Sequence, residues 1–268
     1  GIASVVSLDG GEGVSLPDVG FGDGGNTLRT ILNKWIINRA NVVTTLTRFH
    51  SELIHKNLAV KREIKVITRG VDIETFRSSA GNKISSPVQF LSVGYLSPVK
   101  DPKTLLRAFF LIQQHIDCML TCIGRDYMSG EVHRMASDMG ISHKVNFIEY
   151  VEYNQLNEYY HDAHVLLHTS RYESQGMVIV EAMASGLLIC GTNVGLMKDL
   201  EGVCCLTVQP GDAESLAKTV LDLLSNQTKM DSLRTNAYQW SQKNNLNETV
   251  ADFSIVYSQL VNSKSNAK

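Results

Sequence analysis

Glu173, Gly176 and Glu181, in the stretch RYESQGMVIVEAMASGLLICGTNVG over 171–195, are the residues whose types and spacing could do chemistry. The run 177–185 reads as a helix that stops at Gly186 before a β-like run, 187–191, and Gly176 stands at its opening turn. The first turn of a helix has backbone N–H groups without intrahelical partners and carries the positive end of the macrodipole, so it can receive a phosphate or pyrophosphate. A glycine there lets the anion approach the backbone closely. Glu181, about one turn further on, can accept hydrogen bonds from two neighbouring hydroxyls, as on a ribose, and Glu173, ahead of the helix, would face whatever the phosphates carry. Together the three read as a site for a nucleotide that carries a sugar. Two glutamates at this interval also suit a solvated helix face, so the surrounding pattern has to decide.

That pattern, E-x-x-G-x-x-x-x-E-A-M-A-x-G followed by a strand and T-x-V-G, closely resembles the donor-binding motif of the retaining, GT-B-fold glycosyltransferases of family 4. The resemblance covers about residues 1–260 and is strongest over 88–212. It implies a retaining, hexosyltransferase-type transfer from a nucleoside-diphosphate sugar of UDP or GDP type to an acceptor, independent of metal and with no cofactor. Lys100, in the loop GYLSPVK, matches a family lysine. With the N–H groups of Gly176 and Met177 it is expected to hold the diphosphate, while Glu181 holds the ribose and Glu173 positions the sugar. Lys100 and Glu173 are thus the expected catalytic residues. The turn at Tyr150 and Val151 stands where the family contacts the base, largely through backbone atoms.

Three departures accompany the resemblance. Tyr95 stands where the family has an arginine beside the diphosphate, Leu188 where it has a proline, and Asp9, in SLDGGEG, at the place of a histidine near the sugar. The leaving diphosphate develops charge in the transition state, and removal of one stabilising donor costs on the order of 3 kcal/mol in barrier. The alternative function is therefore a catalytically weak or inactive nucleotide-sugar-binding module acting through a partner. A sugar-nucleotide epimerase is a third reading, which the continuity of the pattern disfavours.

The whole chain sets few further bounds. Its 25 Lys+Arg against 27 Asp+Glu in 268 residues give no reason to expect nucleic acid as a partner. Cys118, Cys122, Cys190, Cys204 and Cys205 lie mostly in apolar runs without metal-ligand spacing, which suits buried thiols in a reducing compartment. No apolar run approaches the ~20 residues of a membrane span. A cytoplasmic protein is expected, with membrane-peripheral contact left open. The acceptor, whether glycan, lipid or small molecule, is not legible.

Strand and helix alternate from Val88 to Leu224, which predicts an α/β fold of GT-B type: a complete C-terminal Rossmann-like parallel-sheet domain and a truncated N-terminal α/β domain. Residues 1–77 are expected to form that partial, acceptor-side domain, 78–87 a linker, 88–245 the nucleotide-sugar-binding domain, and 246–262 a closing helix that crosses back. Only about 75 residues precede the crossing, which follows the Gly70-Val71-Asp72 turn, so a homo-oligomer or a partner completing the N-terminal domain stays open. In residues 26–39 the stripe of Leu28, Ile31, Leu32, Trp35 and Ile36 reads as a core-facing helix surface. The glycine-rich loop through Gly25 reads as surface, and His161, His164 and His168 read as ordinary polar or core histidines.

Overall fold

The computed structural model describes residues 3–22, 27–76 and 83–265. Strand β1 (Val5–Leu8) leads through a short antiparallel pair, β2 (Ser15–Leu16) and β3 (Phe21–Gly22), to α1 (Thr27–Arg39), β4 (Val42–Thr45), α2 (Arg48–Leu58), β5 (Lys65–Val66) and the one-turn α3 (Ile73–Phe76). The order β1-β4-β5 makes a small parallel sheet. Its core is correspondingly small, with Leu8, Ile37, Val43, Ile54, Leu58 and Ile64 at its centre.

The second half alternates strictly at first: β6 (Val88–Val93), α4 (Pro102–Ile112), β7 (Cys118–Ile123), α5 (Glu131–Asp138), β8 (Val145–Ile148), α6 (Leu156–Asp162), β9 (Val165–His168), α7 (Met177–Ala184), β10 (Leu188–Thr192), α8 (Gly195–Asp199) and β11 (Leu206–Val208). Three helices close the chain: α9 (Ala213–Leu224), α10 (Gln227–Lys243) and α11 (Leu246–Ser265). The strands form one parallel six-stranded sheet in the order β11-β10-β9-β6-β7-β8. This is the doubly wound arrangement in which the order reverses between the first strand and the fourth, here β6 and β9, and opens a crevice at their carboxyl ends.

Strand composition explains why helices cover both faces. Side chains alternate across a sheet, and every residue of β9 and β10 is buried. Val165, Leu167, Leu188 and Cys190 enter the core shared with α4 and α9. Their neighbours Leu166 and Ile189 enter the opposite core, with Ile179, Val180 and Met183 of α7. Asp101 opens α4 by accepting from Thr104 N at 3.2 Å, with Pro102 in the first turn, and Asp212 does the same for α9 through Ser215 N at 2.9 Å. All five cysteines are free and buried, and burial pushes the Cys122 and Cys190 thiols up to about 12.

The structure corrects the reading of α1. Leu28, Ile31, Leu32 and Trp35 are 75, 60, 52 and 54% exposed, and the helix meets its small core through Ile37 instead. Ile37 lies two residues past Trp35, about 200° around the helix, so the face opposite the stripe is the one that packs. The glycine-rich loop holds the β2–β3 pair, although Gly24 and Gly25 lie outside the described residues, as do 78–82 of the expected linker. Ile84, at its far end, packs against the large core. Among the described residues no helix is long and apolar enough to cross a membrane.

Candidate functional site

Lys100 and Glu173, 73 positions apart, meet at the crevice between β6 and β9 with Nζ 2.5 Å from Oε1. The same oxygen accepts from Ser170 Oγ at 2.7 Å and lies 3.1 Å from His168 Nε2. Burial by itself would favour the neutral acid. His168 and Lys100 outweigh it and hold the Glu173 carboxyl down at about 2. The result is a carboxylate held ionised at the end of a buried strand, its side chain 12% exposed and its lysine partner 31%.

Backbone ties fix this geometry. Thr169 Oγ1 donates to the carbonyls of Lys100 and Asp101 at 3.1 and 3.0 Å, and Arg171 N donates to Val99 O at 2.8 Å, so the loops after β6 and β9 are laced together. A Cβ at Gly191 would stand 1.9 Å from His168 O, so only glycine lets β10 run against the end of β9 at this level. Gly176 takes φ +89° just before α7, and a Cβ at Gly195 would meet Gln175 O at 2.7 Å.

Gly176 and Met177 stand at the N-terminus of α7, which no side chain caps among the described residues. Glu181 lies a turn further in and is 5% exposed; its Oε2 accepts from Tyr160 Oη of α6 at 2.7 Å. Burial raises the Glu181 pKa against that hydrogen bond, and burial followed by the Glu181 charge raises that of Tyr160 well above its ordinary value. Any ribose hydroxyl reaching Glu181 would share it with, or take it from, a tyrosine. Lys100 also lines a cavity of about 510 Å³ with Gly94, Tyr95, Arg125, Glu149 and Tyr150. Tyr95 packs edge-on against Tyr127, ring centres 5.2 Å apart.

The loop between Glu173 and α7 also grips the small sheet. Tyr172 Oη donates to Gly10 O at 2.8 Å, Ser174 Oγ to Asp9 O at 2.6 Å, and Thr47 Oγ1 to Ser174 O at 2.6 Å. Gln175, 1% exposed, pairs with the main chain of Arg69 in both directions, at 2.9 and 2.7 Å. The Asp9 carboxylate takes Arg69 Nη2 at 2.8 Å. Further out, Thr249 of α11 donates to Thr68 O at 2.9 Å and accepts from Gly70 N at 2.9 Å.

Ser170 was not singled out from sequence, and His168, read there as an ordinary polar or core histidine, stands in the site. Its one signal was position, at the carboxyl end of a strand five residues before Glu173. His164 does act as a core polar group, its Nδ1 accepting from Gln89 N at 2.9 Å. Among the described residues no group of three or more His, Cys, Asp or Glu comes together as a metal site.

A doubly wound parallel sheet with this crevice, beside a smaller α/β layer, defines a GT-B-type chain with a Rossmann-like C-terminal half. Residues 74–240, more than half of the chain, match the model of the glycosyl transferases group 1, and the chain belongs to that family. It is 25% identical over 258 residues to D-inositol 3-phosphate glycosyltransferase 2 of Catenulispora acidiphila, covering 88% of this chain and 60% of that protein. Among solved structures it is similar to sucrose-phosphate synthase of Thermosynechococcus elongatus, with a TM-score of 0.84 and 21% identity over 97% of this chain and 68% of that one. Anabaena Alr3699/HepE, solved with UDP and glucose, gives a TM-score of 0.79 and 20% identity, over 96% of this chain and 72% of that one. At these identities the structural likeness establishes the fold. The chain spans about half to three-fifths of the length of the first curated relatives it matches.

Proposed function

We propose that the chain binds a nucleoside-diphosphate sugar as substrate and transfers its sugar to an acceptor hydroxyl with retention of configuration. In this reading no metal or cofactor takes part. Lys100 and the N–H groups of Gly176 and Met177 hold the diphosphate, Glu173 positions the sugar, and Glu181 takes the ribose. Residues 1–77 form the acceptor side, 78–87 the linker, 88–245 the donor domain and 246–262 the helix that returns. The observation that carries the reading is the cluster of Lys100, His168 and Ser170 around Glu173 in the crevice, beside the open N-terminus of α7. A fixed cation and a helix terminus stabilise a leaving diphosphate without reorganising at the moment of reaction. Membership of the family supports the reading, as does the likeness to a protein solved with UDP and glucose.

Calorimetric titration with UDP, GDP and ADP and their sugar conjugates tests it. One series should bind, and Lys100→Ala should weaken it about tenfold or more through loss of a charge-assisted contact. No binding of any of them to the folded chain sinks the assignment. Donor binding without transfer or donor hydrolysis supports the second reading, a binding module. That reading is favoured by Tyr160 occupying the Glu181 carboxylate and by the absence of an arginine at Tyr95.

A further inference from the structure

We infer that Arg125 and Glu149 form a base-reading pair that selects guanine, making GDP-type donors the preferred class; the inference rests on the nucleotide-sugar reading of the crevice. The loops at the carboxyl edge of the large sheet follow the strand order. Glu173 follows β9, Lys100 follows β6, Arg125 follows β7 and Glu149 follows β8. A ligand with its sugar at Glu173 and its diphosphate near Lys100 therefore lays its nucleoside across the next two loops. Lys100, Arg125 and Glu149 line one cavity of about 510 Å³ there.

The Arg125 loop is built to lie against the Lys100 loop. Leu96 N donates to Arg125 O at 3.0 Å, Tyr127 N donates to Leu96 O at 2.9 Å, and a Cβ at Gly124 would stand 2.1 Å from Gly94 O. Tyr95, Tyr127 and Tyr150 line the same cavity and are each more than half exposed. Exposed rings beside a cavity offer a stacking surface to a base, which brings a π-face whatever its identity. Discrimination then falls to the polar groups. Arg125 Nε and Glu149 Oε1 are 3.4 Å apart, with side chains 62 and 72% exposed. An ion pair so open to solvent is worth little and gives way readily to a ligand.

Guanine complements both members of this pair. Its N1–H and exocyclic N2 amine are two adjacent donors for a carboxylate, and O6 with N7 are two adjacent acceptors for a guanidinium. Uracil presents one N–H donor between two carbonyls and has no second face of this kind. Adenine offers the carboxylate a single amino group, beside a ring nitrogen that repels it.

The test is titration of the full chain with GDP, UDP, ADP and inosine diphosphate, which lacks the N2 amine, alongside Glu149→Gln. GDP should bind about tenfold or more tightly than UDP and ADP, and several-fold more tightly than inosine diphosphate. Glu149→Gln should weaken GDP about tenfold, collapse the difference between GDP and inosine diphosphate, and leave UDP unchanged. Equal or tighter binding of UDP, or a GDP affinity that Glu149→Gln does not move, overturns the selection while leaving the donor site standing. A folded chain that binds no nucleoside diphosphate overturns both.

Discussion

The Glu173 carboxylate converts its neighbours into stability with a pH signature. Its pKa lies below the ordinary 4.5, at about 2, because His168 and Lys100 favour the charged form against burial. The contribution is therefore fully present above about pH 4.5 and fades as pH falls toward 2. The shift corresponds to roughly 3 kcal/mol at neutral pH. Urea denaturation should find Glu173→Gln destabilised by about 2–3 kcal/mol at pH 7, with the difference from the parent shrinking steadily between pH 4.5 and 2. A difference that stays constant through that window would show that the carboxylate is not held by its partners. Functionally, the same cluster keeps one oxygen of Glu173 engaged by Lys100 and Ser170. In the proposed reading, an entering phosphate competes with that ion pair for the lysine.

At the level of elements, the unit from β9 through α7 to β10 combines buried apolar side chains with a close backbone approach that only glycine permits. Gly186 precedes this unit's second strand and Gly191 lies within it, and the two differ in what surrounds them. A Cβ at Gly191 collides with the carbonyl of His168, whereas at Gly186 nothing lies within 4 Å and only the φ of +74° opposes a side chain. Gly191→Ala should therefore cost about 3 kcal/mol or more by forcing β9 and β10 apart, and should disturb the His168–Glu173 contact. Gly186→Ala should cost only ~1–2 kcal/mol, the ordinary penalty of a left-handed alanine. Thermal or urea unfolding of the two variants separates these outcomes, and equal losses would remove the argument from strand approach.

Across the whole molecule, the two sheets meet through the motif loop itself. Gln175 and Ser174 bind the chain around Arg69 and Asp9, and the Asp199 carboxylate at the end of α8 accepts from Arg48 N and Phe49 N at 2.7 and 2.9 Å, completing the start of α2. Any shift of the small layer is thus felt by the loop that carries Glu173. The small layer itself is thinly supported, since α1 buries Ile37 and leaves its apolar stripe exposed. Replacing Ile31 and Leu32 together with lysine should leave the urea midpoint within about 0.5 kcal/mol of the parent. Ile37→Ala should cost about 2–4 kcal/mol by opening a cavity in the small core. A large loss in the lysine variant would restore the core-facing reading of that stripe.

Alternation of apolar runs with helix-period segments was enough, from sequence, to establish the parallel α/β fold. Burial of both faces is local in kind: a strand covered on both sides is apolar along most of its length, and VLLH and LICGT read so except at His168 and Thr192. Caps at Asp101 and Asp212 were legible for the same reason, because each bonds a residue three positions on. The short hairpin after β1 was not, since two-residue strands carry no period. Strand order was not legible either, and it alone brings the ends of β6 and β9 together. That crossing sets Lys100 beside a carboxylate 73 positions away, and the packing of α6 on α7 gives Glu181 a tyrosine. The stripe on α1 was misread because amphipathic spacing shows that a face is apolar and leaves open whether anything covers it. Sequence by itself thus determined the main strands and helices, through interactions that act over a few positions. Only the tertiary structure decided which of their residues share one another's charge, because that depends on contacts made across the sheet.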